Sequence, residues 1–166
     1  MDRFQFLRGD LRGNRRGIRP PWSQPESQFI DLCERCGECL DACPKEIIEN
    51  GPGGYPVVNF ADGFCIFCGD CVKACNHKAL RFPADPTIPP WILEVAIDSS
   101  CLSLNSVVCR SCVDICEEAA IRIRLRTGGR SEPYLDASAC TGCGECVSAC
   151  PNNAVTITPT HQDHAA

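Results

Sequence analysis

A small α+β fold in two similar halves is what this sequence predicts, and three observations carry the prediction. Sixteen of the 166 residues are cysteine, far above ordinary globular usage. The cysteines fall into four groups of four, and a Pro-Pro-Trp triplet at 20–22 and again at 89–91 stands before each pair of groups. Between the groups lie short strand-like runs and brief helical turns, too little for a large apolar core. A chain of this length makes one modest domain or two very small ones, and the internal repeat favours two.

Residues 1–25 read as a basic N-terminal arm. They hold six arginines against two aspartates, a balance of +4, whereas the remainder holds ten basic and nineteen acidic residues, a balance of −9. The arm contains RRGIRPPW, and the pair Arg15 and Arg16 could open an export signal. Such a signal needs an apolar helical stretch next, but Arg19, Pro20 and Pro21 interrupt it. No run approaches the eighteen apolar residues of a membrane span. A soluble, cytoplasmic protein is therefore expected, with no membrane span. A reducing compartment argues against a disulfide framework.

The first half, residues 26–83, carries Cys33, Cys36, Cys39 and Cys43 in CERCGECLDACP, then Cys65, Cys68, Cys71 and Cys75 in CIFCGDCVKACN. Between them PVVNF (56–60) is a strand candidate, preceded by hairpin glycines after EIIEN. Residues 84–90 read as a stiff, proline-rich linker. The second half, 91–160, opens on the strand candidate WILEVAI (91–97). It carries Cys101, Cys109, Cys112 and Cys116 in a stretched third group, then Cys140, Cys143, Cys146 and Cys150 in CTGCGECVSACP. AIRIRLR (120–126) alternates apolar and basic residues as a half-buried strand does, and TGGR offers a hairpin turn before PYLD. AVTIT (154–158) is a last strand, 71–74 and 146–149 are short helices, and 161–166 is a tail.

Three of the groups follow C-x2-C-x2-C-x3-C, the run that binds iron–sulfur clusters in bacterial ferredoxins. Two-residue gaps let three thiolates fold round one face of a cubane, and Gly37, Gly69, Gly142 and Gly144 permit the turns and close backbone approach. The fourth cysteine points away from its own loop and in two-cluster ferredoxins ligates the neighbouring cluster. Crossed pairing gives four sets: Cys33, Cys36, Cys39 with Cys75; Cys65, Cys68, Cys71 with Cys43; Cys101, Cys109, Cys112 with Cys150; and Cys140, Cys143, Cys146 with Cys116. The fold class is thus α+β, built of tandem bacterial ferredoxin-like modules, small and cluster-stabilised, with up to four 4Fe–4S clusters held by all sixteen cysteines. Zinc is the competing metal, but its structural sites use separated pairs of ligands, and this chain has only three histidines.

The pattern has departures. Asn76 and Glu117 stand where Pro follows the fourth cysteine of the first and last groups, and seven residues part Cys101 from Cys109. That long loop suggests a third site more exposed or more labile than the others. Trp22, Tyr55, Phe64, Phe67, Trp91 and Tyr134 read as packing that keeps water from the clusters, with an electron path as the other reading. His77, His161 and His164 read as surface residues.

No phosphate loop, nucleotide fingerprint or hydrolase motif is present, so an enzyme is not expected and no catalytic residue is assigned. An acidic body carrying anionic clusters also argues against nucleic acid as a partner.

The run RRGIRPPWS, the cysteine motif that follows, GGYPVVNF before the second group, and the stretched third group before CTGCGECVSACP resemble the NapF family, from about residue 15 to 159. NapF proteins are ferredoxin-type accessory proteins of the periplasmic nitrate reductase system. The resemblance implies a cytoplasmic iron–sulfur protein that contacts the catalytic molybdoenzyme subunit and assists its maturation before export. An electron-transfer polyferredoxin donating to a reductase is the alternative. Within the arm, Arg15, Arg16, Arg19 and Trp22 are candidate partner-binding residues, steering onto an acidic surface with the indole as anchor. The other reading of Pro20-Pro21-Trp22 is that it packs on the first half.

Overall fold

The computed structural model describes residues 17–127 and 131–160. Five short α-helices are present in it, α1 (Glu26–Leu32), α2 (Glu38–Asp41), α3 (Asp70–Ala74), α4 (Ser111–Asp114) and α5 (Glu145–Ser148), with a 3-10 turn at Pro52–Gly54. Six strands accompany them: β1 (Ile48–Asn50), β2 (Pro56–Val58), β3 (Leu93–Ile97), β4 (Ile121–Leu125), β5 (Ser131–Leu135) and β6 (Val155–Pro159). The strands form three two-stranded antiparallel ribbons, β1–β2, β3–β6 and β4–β5.

In the second module the outer strands β3 and β6 pair from Leu93 with Pro159 to Ile97 with Val155. The hairpin β4–β5 lies within that span of chain, and its expected turn glycines, Gly128 and Gly129, lie outside the described residues. The first module has the inner ribbon β1–β2, which Ile18 extends by an isolated bridge to Val58, and in place of the outer ribbon a single bridge from Ser23 to Leu80. Chain from residue 17 onward is therefore part of the first module's packing.

Strand ends differ from the sequence reading for local reasons. The run expected over 56–60 stops at Val58, because the Asn59 side chain accepts from the Ala61 amide at 2.9 Å and bends the chain. Phe60 then turns inward and is buried. The run expected over 91–97 starts at Leu93, since the Trp91 indole is drawn away to donate to the Thr141 carbonyl at 3.0 Å. Helix α1 was not legible as a period. Pro25 precedes it, Glu26 suits the positive end of its dipole, and Phe29 is fully buried beneath it.

One turn recurs four times. Three residues beyond each fourth cysteine, Glu46, Lys78, Ala119 and Asn153 adopt φ of 53, 59, 47 and 50°. Each donates its amide to the carbonyl of that cysteine, at 3.0, 3.3, 3.0 and 3.3 Å respectively. Left-handed backbone is uncommon away from glycine, so its fourfold recurrence marks a constraint of the design. The next two residues are buried every time: Ile47 and Ile48, Ala79 and Leu80, Ala120 and Ile121, Ala154 and Val155. The turn thus drives an apolar pair under each cysteine loop.

These pairs make up much of two small cores. The first gathers Ile18, Phe29, Ile47, Ile48, Val58, Phe60 and Leu80, and the second gathers Val95, Ile121 and Val155. Cysteines from the motifs pack against both. Because Phe29 is the largest fully buried apolar side chain, Phe29→Ala should cost about 3–5 kcal/mol. Urea titration followed by circular dichroism checks this, and the midpoint should fall with an unchanged slope.

Candidate iron–sulfur sites

The helices α2, α3, α4 and α5 each begin within a cysteine motif, and each carries the third cysteine: Cys39, Cys71, Cys112 and Cys146. Ahead of three of them the backbone repeats a left-handed pair. Arg35, Phe67 and Gly142, between the first two cysteines, have φ of 56, 53 and 75°. Gly37, Gly69 and Gly144, just after the second, have φ of 86, 74 and 88°. These turns reverse the chain within each loop, and the non-glycine members were not anticipated from the sequence.

One hollow brings together Cys33, Cys36, Cys39 and Cys75, floored by Phe29 and Leu80. A second brings together Cys101, Cys109, Cys112 and Cys150 under Ile97, Ile123 and Pro133. A wider one, about 330 Å³, is bordered by Cys116, Cys140, Cys143 and Cys146, and also by Cys65 from the other module. The remaining grouping shows in the electrostatics. Burial first, and then charge on Cys65, Cys39, Cys68 and Cys43, push the Cys71 thiol up to about 12. His77, exposed, sits on the rim of the first hollow.

Burial acts on the other loops in the same way. It raises the thiols of Cys39, Cys65 and Cys112 to about 11 and that of Cys146 to about 12. At these cysteines desolvation disfavours the thiolate, and charge on neighbouring cysteines adds to it. A cationic iron core reverses that cost, because thiolates are the ligating form and iron neutralises them. Backbone amides already point at sulfur: Phe67 N–H donates to Cys65 Sγ at 3.4 Å, Leu80 N–H to Cys75 Sγ at 3.4 Å, and Ala154 N–H to Cys150 Sγ at 3.2 Å. All sixteen cysteines are free of disulfides. Among the described residues no three Cys, His, Asp or Glu side chains converge closely enough for a single ion.

The third motif is built differently. Arg110, in the place of the glycine after the second cysteine, has φ −133°, and the left-handed pair is lost. A stitched loop replaces it. Ser103, 3% exposed, bonds the Ser131 carbonyl at 3.1 Å and hydroxyl at 2.8 Å, while the Asn105 amide donates to the carbonyls of Ser99 and Cys101 at 2.8 and 2.9 Å. Cys101 is itself buried, so the exposed site suggested by the long loop is not what forms at that residue. Exposure falls on Val107 and Val108 instead.

Aromatic residues divide. Trp22 packs edge-on against Phe82 at 5.0 Å and Phe67 at 6.4 Å, and Phe67 meets Trp91 at 5.8 Å. Tyr55 lies near Phe29, and Phe64 borders the widest hollow beneath Lys45. Tyr134 is not core packing, for it is exposed with the Arg124 guanidinium 3.4 Å above its ring.

Two of the candidate partner-binding residues make contacts inside the molecule. Arg19 is committed within the molecule, donating to both Glu26 carboxylate oxygens at 2.8 and 3.0 Å and to the Pro56 carbonyl at 3.1 Å. It also sits over Phe29 at 4.8 Å. Trp22 is half-buried on the first module and donates its amide to the Pro90 carbonyl at 2.6 Å. Both residues thus make contacts within the first module, as the packing alternative for Pro20-Pro21-Trp22 expects. Arg15, Arg16, His161 and His164 lie outside the described residues.

With this geometry in hand, known proteins can be compared. Two family profiles, each described as a 4Fe-4S dicluster domain, match residues 32–80 and 107–154. "Ferredoxin-type protein NapF" of Escherichia coli strain K12 is 42% identical over 94% of this chain and 93% of its own length. The protein of that name from Haemophilus influenzae is 42% identical over 98% of this chain and 97% of its own. This chain belongs to the NapF family. A more distant relative, "Methylamine utilization ferredoxin-type protein MauM" of Methylorubrum extorquens, is 32% identical over 87% of this chain and 73% of its own length. As a NapF-family, ferredoxin-type iron–sulfur protein, the chain has cysteines for up to four 4Fe–4S clusters. Among the described residues no helix is long and apolar enough to cross a membrane.

The raised thiols set a sign for pH dependence in the cluster-free protein. Thiols at about 11 to 12 in the folded chain, against 9.0 unfolded, favour the fold while they stay protonated. That stabilisation is complete below pH 9 and is lost as pH rises through 11 to 12. Melting of metal-free protein between about pH 8 and 12 should therefore show a falling midpoint, less steep in a Cys71→Ala, Cys146→Ala double variant. Equal slopes in both proteins would contradict the assignment.

Proposed function

We propose that the four cysteine sets ligate four 4Fe–4S clusters, and that the chain is a cytoplasmic accessory protein. It assists maturation of the catalytic molybdoenzyme subunit of periplasmic nitrate reductase before export. The observation that carries this reading is the near-complete, 42% identical match to ferredoxin-type NapF proteins, extending over all four motifs. The role is not catalytic on this reading, since each of the three hollows described is bordered by cysteine and built for metal.

The protein's own residues would perform four tasks. Thiolates hold the metal, and left-handed turns shape the loops. Inward amides on Cys65, Cys75 and Cys150 stabilise negative charge on sulfur, and buried apolar pairs limit water. The clusters supply one-electron redox chemistry or serve as cargo for the partner.

Cluster delivery and electron supply are told apart by what moves. Protein loaded anaerobically with isotopically labelled iron is mixed with the cluster-free catalytic subunit, and label on each is counted after separation. Label on the subunit, with restored activity, is the expected result. Label retained despite binding would favour electron supply, the alternative reading. Absence of any binding would overturn the partner assignment.

The ligand assignment has its own check. Cys71→Ala and Cys112→Ala should each lower iron content by about one quarter, because each removes a ligand from a different cluster. An unchanged iron count would remove that cysteine from its set.

A further inference from the structure

We propose that the second and fourth cysteine sets meet across the junction between the modules, so that the four sites form one row in the order first, second, fourth, third. The proposal rests on the reading that these sets hold clusters. In sequence the modules are two separate pairs joined by a proline-rich segment. In space that segment does not hold them apart.

The junction is built by direct contact. The Cys65 amide, in the second set, donates to the Cys143 carbonyl, in the fourth, at 2.8 Å. Cys65 also borders the same hollow as Cys116, Cys140, Cys143 and Cys146. One cysteine of the first module thus lines the wall of a site in the second. Trp91 closes the joint. It stands edge-on to Phe60 and to Phe67, both at 5.8 Å, and its indole donates to Thr141, the residue after Cys140.

Two glycines admit these rings. A β-carbon on Gly142 would lie 2.8 Å from the Trp91 nitrogen, and one on Gly144 would overlap the Phe60 ring. Their left-handed φ serves the cysteine loop, and their lack of a side chain serves the junction. Leu93, Val147 and Ile157 of the second module pack on the first module's core, so the apolar interior is continuous across the joint.

Within each module, crossing of the fourth cysteine places the paired sets side by side, as α2 packs on α3 and α4 on α5. Phe60, Phe67 and Trp91 are therefore positioning residues that join two pairs into a row. The first and third sets are its ends. Exchange between neighbours needs only one electron, one core being oxidised as the next is reduced, with no bond broken.

The test uses full-length protein in which Cys33, Cys36, Cys109 and Cys112 are replaced by alanine, leaving the second and fourth sets intact. Iron is counted first, then the protein is reduced with dithionite and its electron paramagnetic resonance recorded. Spin–spin splitting between the two remaining clusters is expected, and its loss on adding Phe60→Ala and Trp91→Ala with iron unchanged. Both clusters present with two uncoupled signals would overturn the row. Iron missing from these sets would instead overturn the ligand reading. Should the stripped protein not fold, small-angle scattering of the fully loaded wild-type protein decides. A single rigid body is expected, and two bodies on a flexible tether would overturn the proposal.

Discussion

Thiolate charge gathered into small, half-dry hollows is the interaction on which the rest of this structure depends. Burial opposes ionisation of the Cys71 and Cys146 thiols and charge on neighbouring cysteines adds to it, which holds both near 12. The two apolar cores gather few buried side chains. Iron bound to the sulfurs would neutralise the charge, and the folded chain and the metal would then stabilise each other. The recurring left-handed turn makes sense in that light. At Glu46, Lys78, Ala119 and Asn153 it follows a short helix, turns the chain under its cysteine, and buries an apolar pair below.

How much of this was legible depended on whether a feature is written in residue type or in contact. Cysteine spacing is written in residue type, so the modules, the paired motifs and the strands around 95, 123 and 157 could be anticipated. Hairpin glycines and alternation identified β4 in the same way. Helix α1 lacks such a mark, because seven residues offer less than two turns of period, and one buried ring, Phe29, fixes it. Left-handed Arg35 and Phe67 were hidden for another reason. Nothing in Arg or Phe favours that backbone region, so it is imposed by the neighbouring cysteines.

At the N-terminus charge serves the fold at Arg19. A cluster of arginines on an acidic chain suggests a partner, yet Arg19 satisfies Glu26 and the Pro56 carbonyl inside the first module. The decisive feature was the spacing from Arg19 to Glu26, seven residues that span the Pro-Pro-Trp turn and bring the carboxylate under the guanidinium. Trp22 likewise serves Phe82 and Phe67. Its counterpart Trp91 does the same for Phe60 and Phe67, so the repeated triplet marks two seams of one body. The third motif shows the same economy in reverse: having lost its left-handed glycine, it uses Ser103 and Asn105 to tie the loop that places Cys101.

The central claim is that all four sets carry a full cubane, and native mass spectrometry of anaerobically reconstituted protein tests it most directly. Four cubanes predict a mass increment of about sixteen iron and sixteen inorganic sulfide atoms, reached in steps of about four of each. A fully folded species that stops at two clusters, or carries zinc in their place, would contradict it.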